Sequence, residues 1–332
     1  MTFLKIMQGK AEENIASKKD SGIVKNKISL LANLDELPFP ARDLLPNRHY
    51  RSPFTKSNPF TFMYSSRGCS YRCKFCPCSI WNLHQVRYRN VESVILEIKE
   101  VVERYKIRDI IFRDPSLTIK RDHVLALCEG ILKSGHKINW RCFSHVNDVD
   151  AGLLKLMKKA GCYQISYGFE SASQDILQSI LKSVHIEQAL KSAQLTKEAG
   201  IELSGSFMLG LPGETKKTIN ETIRFSKRLK LDYAQFQFAI AVPGTRLYEE
   251  QLEGRYSAIT QDRQKWHWSE WEGFIEPKSD SAGMLKWGLR KAYRNFYFNP
   301  AYLFSQMGKI RNFEQLLLNA KVTLTLMRQR LA

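Results

Sequence analysis

The sequence lacks an apolar run long enough to cross a bilayer, and its first residues, Met1-Thr2-Phe3-Leu4-Lys5, hold no apolar stretch suited to a signal peptide. It also lacks an even cysteine framework: seven cysteines in 332 residues argue for reduced thiols rather than disulfides, and predict a cytoplasmic protein. No second cysteine pair follows the one dense cysteine run, so the paired spacing of a zinc knuckle is missing. Acidic residues are scarce toward the end, where residues 281–332 contain nine Lys and Arg and only Glu314 on the acidic side. A surplus of this kind suits an anionic partner, such as RNA, a phosphorylated substrate or a membrane surface, or is simply a solvated basic face. Over the whole chain the formal charge is +18, with 43% hydrophobic and 25% charged residues, the balance of an ordinary folded protein.

What is present is concentrated in Cys69-Ser70-Tyr71-Arg72-Cys73-Lys74-Phe75-Cys76. Three thiols sit at spacings of three and two intervening residues. An electron-transfer cubane takes four cysteine thiolates, so three leave one iron without a protein ligand, and an open metal position is what a catalytic site keeps. The competing reading is a zinc or four-cysteine cluster completed by Cys78 or His84, which would close the site. Cys76, Pro77 and Cys78 are too close together for both thiols to serve one cubane without strain. Cys128, Cys142 and Cys162 fall in predicted element interiors and read as ordinary buried residues.

Along the chain, residues 1–30 show no sustained periodicity. The arm Leu34–Pro46 has three prolines within nine residues, which excludes a continuous helix. Its apolar members Leu37, Phe39, Leu44 and Leu45 predict a docked segment. From residue 60 a strand–helix alternation sets in. Strands are expected at Thr61–Ser66, Ile107–Phe112, Ile138–Phe143, Tyr163–Tyr167, Ile201–Leu209 and Tyr233–Ile240. Helices are expected after Asn90, over Asp122–Lys133, Val149–Ala160, up to about Lys182, His185–Ala199 and Thr215–Lys230. Gly135, Gly161 and Gly200 stand where a left-handed residue ends a helix. Six strand–helix units imply a parallel sheet of the α/β class; six rather than eight favour a partial (β/α)6 TIM-type barrel over a closed one. Three segments follow: an arm at 1–59, a core at 60–245, and a mainly helical, aromatic and basic extension at 246–332. In that extension helices are expected near 281–297 and 312–330, and Trp266, Trp268 and Trp271 are expected over the barrel opening as substrate contacts.

Further candidates lie at the carboxyl ends of the later strands, where α/β proteins place ligands. They are Arg113-Asp114-Pro115-Ser116, Tyr167-Gly168-Phe169-Glu170-Ser171 and Gly205-Ser206-Phe207-Met208-Leu209-Gly210-Leu211-Pro212-Gly213-Glu214. Together with the cysteine run, these stretches and Pro243-Gly244-Thr245 make residues 60–245 resemble the core of the radical S-adenosylmethionine (radical SAM) enzymes, most closely the subgroup that carries a cobalamin-binding domain. The arm Leu34–Pro46 is similar to the segment that joins that domain to the barrel. The resemblance implies that Cys69, Cys73 and Cys76 hold a 4Fe–4S cluster whose fourth iron takes S-adenosylmethionine. It further implies that Phe75, Asp114, Glu170, Gly205, Gly210 and Leu211 line the cofactor, and that a one-electron reductant such as flavodoxin or ferredoxin is needed. The hallmark Asp-x-His-x-x-Gly of the cobalamin domain is absent and the stretch ahead of residue 34 is short for one, so cobalamin is expected only from a separate chain. The implied activity is reductive cleavage of S-adenosylmethionine followed by hydrogen abstraction, leading to methyl transfer or ring formation on a small or lipid-like substrate. RNA modification through the basic tail and a non-enzymatic iron–sulfur or zinc protein are the alternatives.

Overall fold

The computed structural model describes residues 16–19, 22–25, 28–52, 54–258, 274–275 and 281–307. It divides into two units, residues 1–38 and 39–332. The first contains an antiparallel hairpin, β1 (Ala16–Lys19) and β2 (Gly22–Lys25), and a single 3-10 turn, Leu34–Glu36, capped by the Asn33 side chain, which accepts from the Asp35 N–H. The hairpin was not expected: Asp20-Ser21 between two mixed polar stretches gives little periodic signal.

In the second unit the alternation predicted from residue 60 is realised. The strands are β3 (Phe60–Met63), a short ribbon of β4 (Ser66–Arg67) and β5 (Arg87–Tyr88), then β6 (Asp109–Phe112), β7 (Asn139–Ser144), β8 (Cys162–Glu170), β9 (Glu202–Leu209) and β10 (Tyr233–Phe238). Helices α1 (Cys78–Asn82), α2 (Val91–Glu103), α3 (Arg121–Ser134), α4 (Ala151–Lys159), α5 (Gln174–Ser179), α6 (Ile186–Glu198), α7 (Lys216–Arg228) and α8 (Arg246–Leu252) intervene, and α9 (Ser281–Tyr297) and α10 (Pro300–Met307) follow. The main sheet runs β10-β9-β8-β7-β6-β3, every pair parallel. Sequential strands are neighbours throughout that order, as strand–helix–strand crossovers of one hand produce. Gly135, Gly161 and Gly200 all take positive φ.

One face of the sheet is packed. Trp140 and Cys142 on β7, Ile110 and Phe112 on β6, and Leu203 and Phe207 on β9 join Ile98, Leu127, Leu153 and Ile223 from the helices in one apolar core. Because side chains alternate along a strand, the intervening residues Arg141, Ser166, Ser204 and Gln237 lie on the opposite face, where they are half-buried.

The sheet does not close: β3 and β10 are its two edges, and each is covered by a flanking segment. On β3, Phe60 N–H donates to Tyr50 O, while buried Arg42 donates to Thr61 Oγ1 and Phe62 O and meets Glu97 of α2 at 2.6 Å. The arm therefore docks through Arg42, and Leu44 and Leu45, expected to be its anchors, are exposed. On β10, Tyr297 Oη donates to Ala234 O at 2.7 Å and accepts from Ala234 N–H at 3.1 Å, and Tyr293 Oη donates to Phe236 O at 3.0 Å. Tyr302 Oη donates to Asp232 O. These hydroxyls satisfy backbone groups that an unpaired edge would expose to another strand. The helix predicted near 281–297 is thus an edge cover. The helix expected at 312–330 and the tryptophans 266, 268 and 271 lie outside the described residues.

Candidate active site

The cysteine loop leaves the carboxyl end of β3, and its conformation begins with Asp114. Strand β3 stops at Met63, and the amides of Ser65 and Ser66 turn toward Asp114. Ser65 N–H and Oγ–H and Ser66 N–H and Oγ–H all donate to the Asp114 carboxylate, which is completely buried. His123 Nε2 lies 3.3 Å from Ser65 Oγ in the same network. The strand expected over Thr61–Ser66 is therefore two pieces. The second piece, β4, pairs antiparallel with β5 and closes the loop 68–86 at its base. Asp114 was expected beside the cofactor; the structure occupies its oxygens with the root of the loop.

Gly68 opens the loop at φ +107°, with the Gln85 carbonyl packed where a Cβ would stand. Beyond it the loop is tied to two other strand ends. Lys74 N–H donates to Ile180 O at 2.9 Å, Leu247 N–H donates to Lys74 O at 3.0 Å, and Lys74 Nζ meets buried Glu250 of α8 at 2.9 Å. Gly244, in Pro243-Gly244-Thr245, packs against Ile80, and Thr245 caps α8 by accepting from Tyr248 N–H. Phe75 rests on a small apolar cluster of Ile176, Ile180, Met208, Leu211, Ala239 and Leu247. Two of the expected residues, Phe75 and Leu211, are thereby brought together.

Cys69, Cys73, Cys76 and Cys78 are half-buried; Cys128, Cys142 and Cys162 are buried. Burial pushes Cys69 and Cys73 up to about 11 and raises Cys76; Cys78 and Cys76 add to the rise at Cys69, Glu170 and then the other two thiols at Cys73, and Glu170 at Cys76. Against this, the Lys182 ammonium favours the thiolate at all three, as do the Tyr71 N–H at Cys69 and the Cys78 N–H at Cys76. Backbone N–H groups aimed at sulfur are among the protein's means of tuning an iron–sulfur cluster. Cys78 differs. It is raised to about 11 by burial and then by Cys76, it is hydrogen-bonded by the Asn82 side chain, and Lys182 does not act on it. Among the described residues no three Cys, His, Asp or Glu side chains converge as ligands of a single metal ion. A cubane asks for something else, since each cysteine binds a different iron and the thiols need only surround a common volume. Lys182 thus favours the thiolate at Cys69, Cys73 and Cys76, while Cys78 still acts on Cys69 and Cys76 on Cys78.

Glu170 ends β8 in a left-handed conformation, φ +61°, beyond a register shift between Gly168 and Glu170. Its carboxylate meets Lys182 Nζ at 3.2 Å, and both side chains are buried. A Cβ on Gly168 would overlap Glu170 Oε1 and stand 3.1 Å from Lys182 Nζ, so that glycine makes room for the pair. Burial works against the charge of Lys182, but Glu170 and then Cys73 outweigh it and hold the ammonium above its ordinary range. Lys182 was not anticipated: it stands alone, twelve positions after Glu170, in no recognisable motif. Gly210 turns the chain at φ +86°, and its N–H donates to Glu214 Oε2 at 3.3 Å. Gly205 does not reach the loop. It lies on the packed face, where a Cβ would meet Leu231 at 2.8 Å and Phe169 at 2.9 Å.

Tyr71 was quoted in the cysteine run without a role. Its ring stacks on His145 at 3.8 Å and its hydroxyl donates to Asp148 Oδ1 at 2.7 Å. His145 Nδ1 accepts from Asn147 N–H, which assigns the ring proton to Nε2, and that buried Nε2 has no hydrogen-bond partner among the described residues. Burial and then Lys182 push His145 down to about 3, so the ring is neutral.

Comparison with known proteins agrees with this geometry. The family model described as the radical SAM superfamily matches residues 63–226, from the end of β3 into α7. The chain carries a radical SAM domain. It is 33% identical over 299 residues to a protein of Pyrococcus horikoshii named as an uncharacterized methyltransferase, covering 90% of this chain and 64% of that protein. It is 30% identical over 241 residues to the anaerobic magnesium-protoporphyrin IX monomethyl ester cyclase of Rubrivivax gelatinosus, covering 72% of this chain and 42% of that enzyme. This chain therefore spans between two-fifths and two-thirds of these relatives. Among solved structures, the radical SAM methyltransferase TsrM of Kitasatospora setae, with cobalamin and a [4Fe-4S] cluster bound, superposes with a TM-score of 0.67 at 16% identity over 90% of this chain and 66% of that one. The cobalamin-dependent radical SAM enzyme OxsB gives 0.70 at 16% identity over 97% of this chain and 53% of that one. These likenesses establish the fold, a partial TIM-type barrel. Enzymes of this superfamily use a 4Fe–4S cluster and S-adenosylmethionine, and they require a reductant and a substrate.

Proposed function

We propose that this chain is the catalytic core of a radical SAM enzyme that carries out methyl transfer or ring formation on a small-molecule substrate. The observation that supports the reading is a loop carrying Cys69, Cys73 and Cys76 at the carboxyl end of a parallel sheet, where the buried Glu170–Lys182 pair acts electrostatically on Cys73 and Cys76 and Lys182 acts on Cys69 as well. In this reading Cys69, Cys73 and Cys76 hold the cluster, and Cys78 stays off it through its hydrogen bond with Asn82. Bound cluster and S-adenosylmethionine together supply one-electron cleavage of a carbon–sulfur bond and a radical able to abstract hydrogen.

The chain's own residues do the holding. Lys182 balances the charge of three thiolates and a buried carboxylate, and is the cation suited to the carboxylate of S-adenosylmethionine. Glu170 is the acceptor suited to its amino or ribose groups. Phe75, backed by the buried Leu211, offers the apolar surface for adenine, with the Gly210 turn nearby. Asp114, Ser65 and Ser66 hold the loop from beneath. We assign residues 60–245 to this core, with 1–59 as an arm and 246–332 as an extension. Electrons come from a flavodoxin or ferredoxin type of donor, in a reducing, cytoplasmic setting that suits free thiols. Any cobalamin taking part is supplied from outside the described residues.

The test is anaerobic reconstitution with iron and sulfide, then reduction in the presence of S-adenosylmethionine. Wild type is expected to form 5′-deoxyadenosine or S-adenosylhomocysteine, Cys73→Ala to form neither, and Cys78→Ala to retain a three-cysteine cluster. Loss of the cluster in Cys78→Ala, or turnover in Cys73→Ala, refutes the ligand assignment.

A further inference from the structure

The open face of the sheet carries a set of N–H donors that the cofactor assignment leaves unused. On β7, Trp140 and Cys142 point into the packed core, so Arg141, Phe143 and His145 form a row on the open face, about 7 Å apart. The backbone stays extended through His145, which keeps the alternation in step. Arg113, just past the end of β6, joins this row from the adjacent strand. Its guanidinium lies over the rings of Phe143, at 5.1 Å, and Phe62, at 5.5 Å.

Each of these polar groups has donor capacity left over. Arg141 donates from one terminal nitrogen to Gln164 at 3.1 Å, and its buried Nε has no partner. The buried Nε2 of His145 has none either. Arg113 is exposed, and among the described residues no carboxylate comes within ion-pair distance of it. Carboxylates on the same face are otherwise arranged. Asp109 accepts from Tyr163 Oη and from Lys56 and Ser57 N–H, and Glu170 is paired with Lys182. Glu202 stands opposite Gln164, on the far side of β8. Asp148, beside His145, accepts from Tyr71 Oη and Ser116 Oγ, which leaves Arg113 as a donor-rich cation over two aromatic rings.

An arginine held over aromatic rings is restrained in position while its N–H groups remain able to donate, an arrangement suited to recognising oxyanions. We propose that this wall holds the substrate, and that the substrate has an apolar body lying on Phe62 and Phe143 and an oxyanion, carboxylate or phosphoryl, bound by Arg113. The assignment of the occupant as substrate rests on the radical SAM reading; the anion site itself does not. Arg141 and His145 are the additional donors, further down the wall and beneath Tyr71.

The test is fluorescence titration of the intact chain with 8-anilinonaphthalene-1-sulfonate, an aromatic oxyanion, and with N-phenyl-1-naphthylamine, its uncharged counterpart. Arg113→Gln is expected to weaken the sulfonate about tenfold, with partial recovery in Arg113→Lys and no change for the uncharged dye. Arg108→Gln is the control, since Arg108 is exposed at the amino end of the same strand, bonded to Lys137 O. Equal sulfonate affinity in wild type and Arg113→Gln overturns the proposal, as does an equal loss for both dyes. Benzoate and phenyl phosphate as competitors separate the two anion types. Displacement from wild type but not from Arg113→Gln identifies the group, and displacement by neither overturns the site. Cluster assembly and cleavage of S-adenosylmethionine are read separately on dye-free wild type. Their failure removes the substrate assignment while the dye result still decides the anion site.

Discussion

Replacing Gly68 with alanine tests whether the cysteine loop is held shut at its base. At φ +107° the backbone is in a region that L side chains rarely adopt, which costs about 1–3 kcal/mol. The new Cβ would also overlap the Gln85 carbonyl oxygen and lie 2.9 Å from its carbon and 3.2 Å from Val86 Cα. These are backbone atoms of the ribbon that closes the loop, so no side chain can swing aside. Overpacking of this sort adds roughly 1–3 kcal/mol. The sum, about 2–6 kcal/mol, falls on β4, β5 and the thiols between them rather than on the main sheet, whose core contains none of these residues. The expected outcome is local: the loop opens, the thiols separate, and iron and sulfide incorporation drops about 30-fold or more at limiting iron, because each 1.4 kcal/mol of opening lowers the competent fraction tenfold. Thermal unfolding of the metal-free chain, followed by circular dichroism, should move far less. Gly135→Ala is the matched control, since its φ is also positive (+71°) but nothing lies within 4 Å of the added Cβ. Cluster content in Gly68→Ala equal to that of Gly135→Ala would refute the argument.

Two further perturbations bear on buried charge. Lys182→Met strands the buried Glu170 carboxylate, and should destabilise the metal-free chain by about 3–5 kcal/mol in urea unfolding. Lys182→Met combined with Glu170→Gln should recover most of that loss; no recovery means that the pair is not coupled. Asp109 is pushed up to about 6, by burial above all, against the hydrogen bonds from Ser57, Tyr163 and Lys56 that favour its charged form. Between about pH 4 and 6 the folded chain therefore binds this proton more tightly than the unfolded chain, and the group's contribution to stability falls as pH rises, by roughly 3 kcal/mol in all. The stability of Asp109→Asn relative to wild type should rise by about that amount from pH 4 to pH 7, and a pH-independent difference would show that Asp109 ionises normally.

The parts of this molecule that were legible in the sequence are those governed by local periodicity. All six main strands and the helices between them fall within a few residues of the expected positions, because Val94, Ile98, Val101 and Val102, or Ile110, Ile111 and Phe112, repeat with the period of a buried face. Contacts between distant residues were not legible. Asp114 reads as a strand-end acid, yet its oxygens are taken by Ser65 and Ser66, nearly fifty positions earlier, and the expected first strand breaks there. Gly205 carries a glycine's usual suggestion of close approach, but the approaching group is the Phe169 ring, because even and odd positions of β9 face opposite ways. Lys182 acquires meaning only when the end of β8 and the cysteine loop share one volume.

The two edges of the sheet explain why the open face stays accessible. A sheet that closes into a barrel fills its interior with side chains, whereas one whose edges are satisfied separately has no need to close. Here Arg42 and Tyr50 complete β3, and Tyr293, Tyr297 and Tyr302 complete the β10 end. Several inward residues are accordingly polar and half-exposed, among them Arg141, Ser166, Ser204 and Gln237, and Arg113 and Gln235 are exposed. A substrate reaching the cysteine loop along this face would meet Arg113 and the Phe62 and Phe143 rings before it met the thiols. Affinity for the substrate's remote end and chemistry at its reacting end would thereby be divided between the adjacent strands β6 and β3. Binding energy gathered at Arg113 can then be used to position a carbon at the loop, which is how remote contacts raise a reaction rate rather than merely tighten binding.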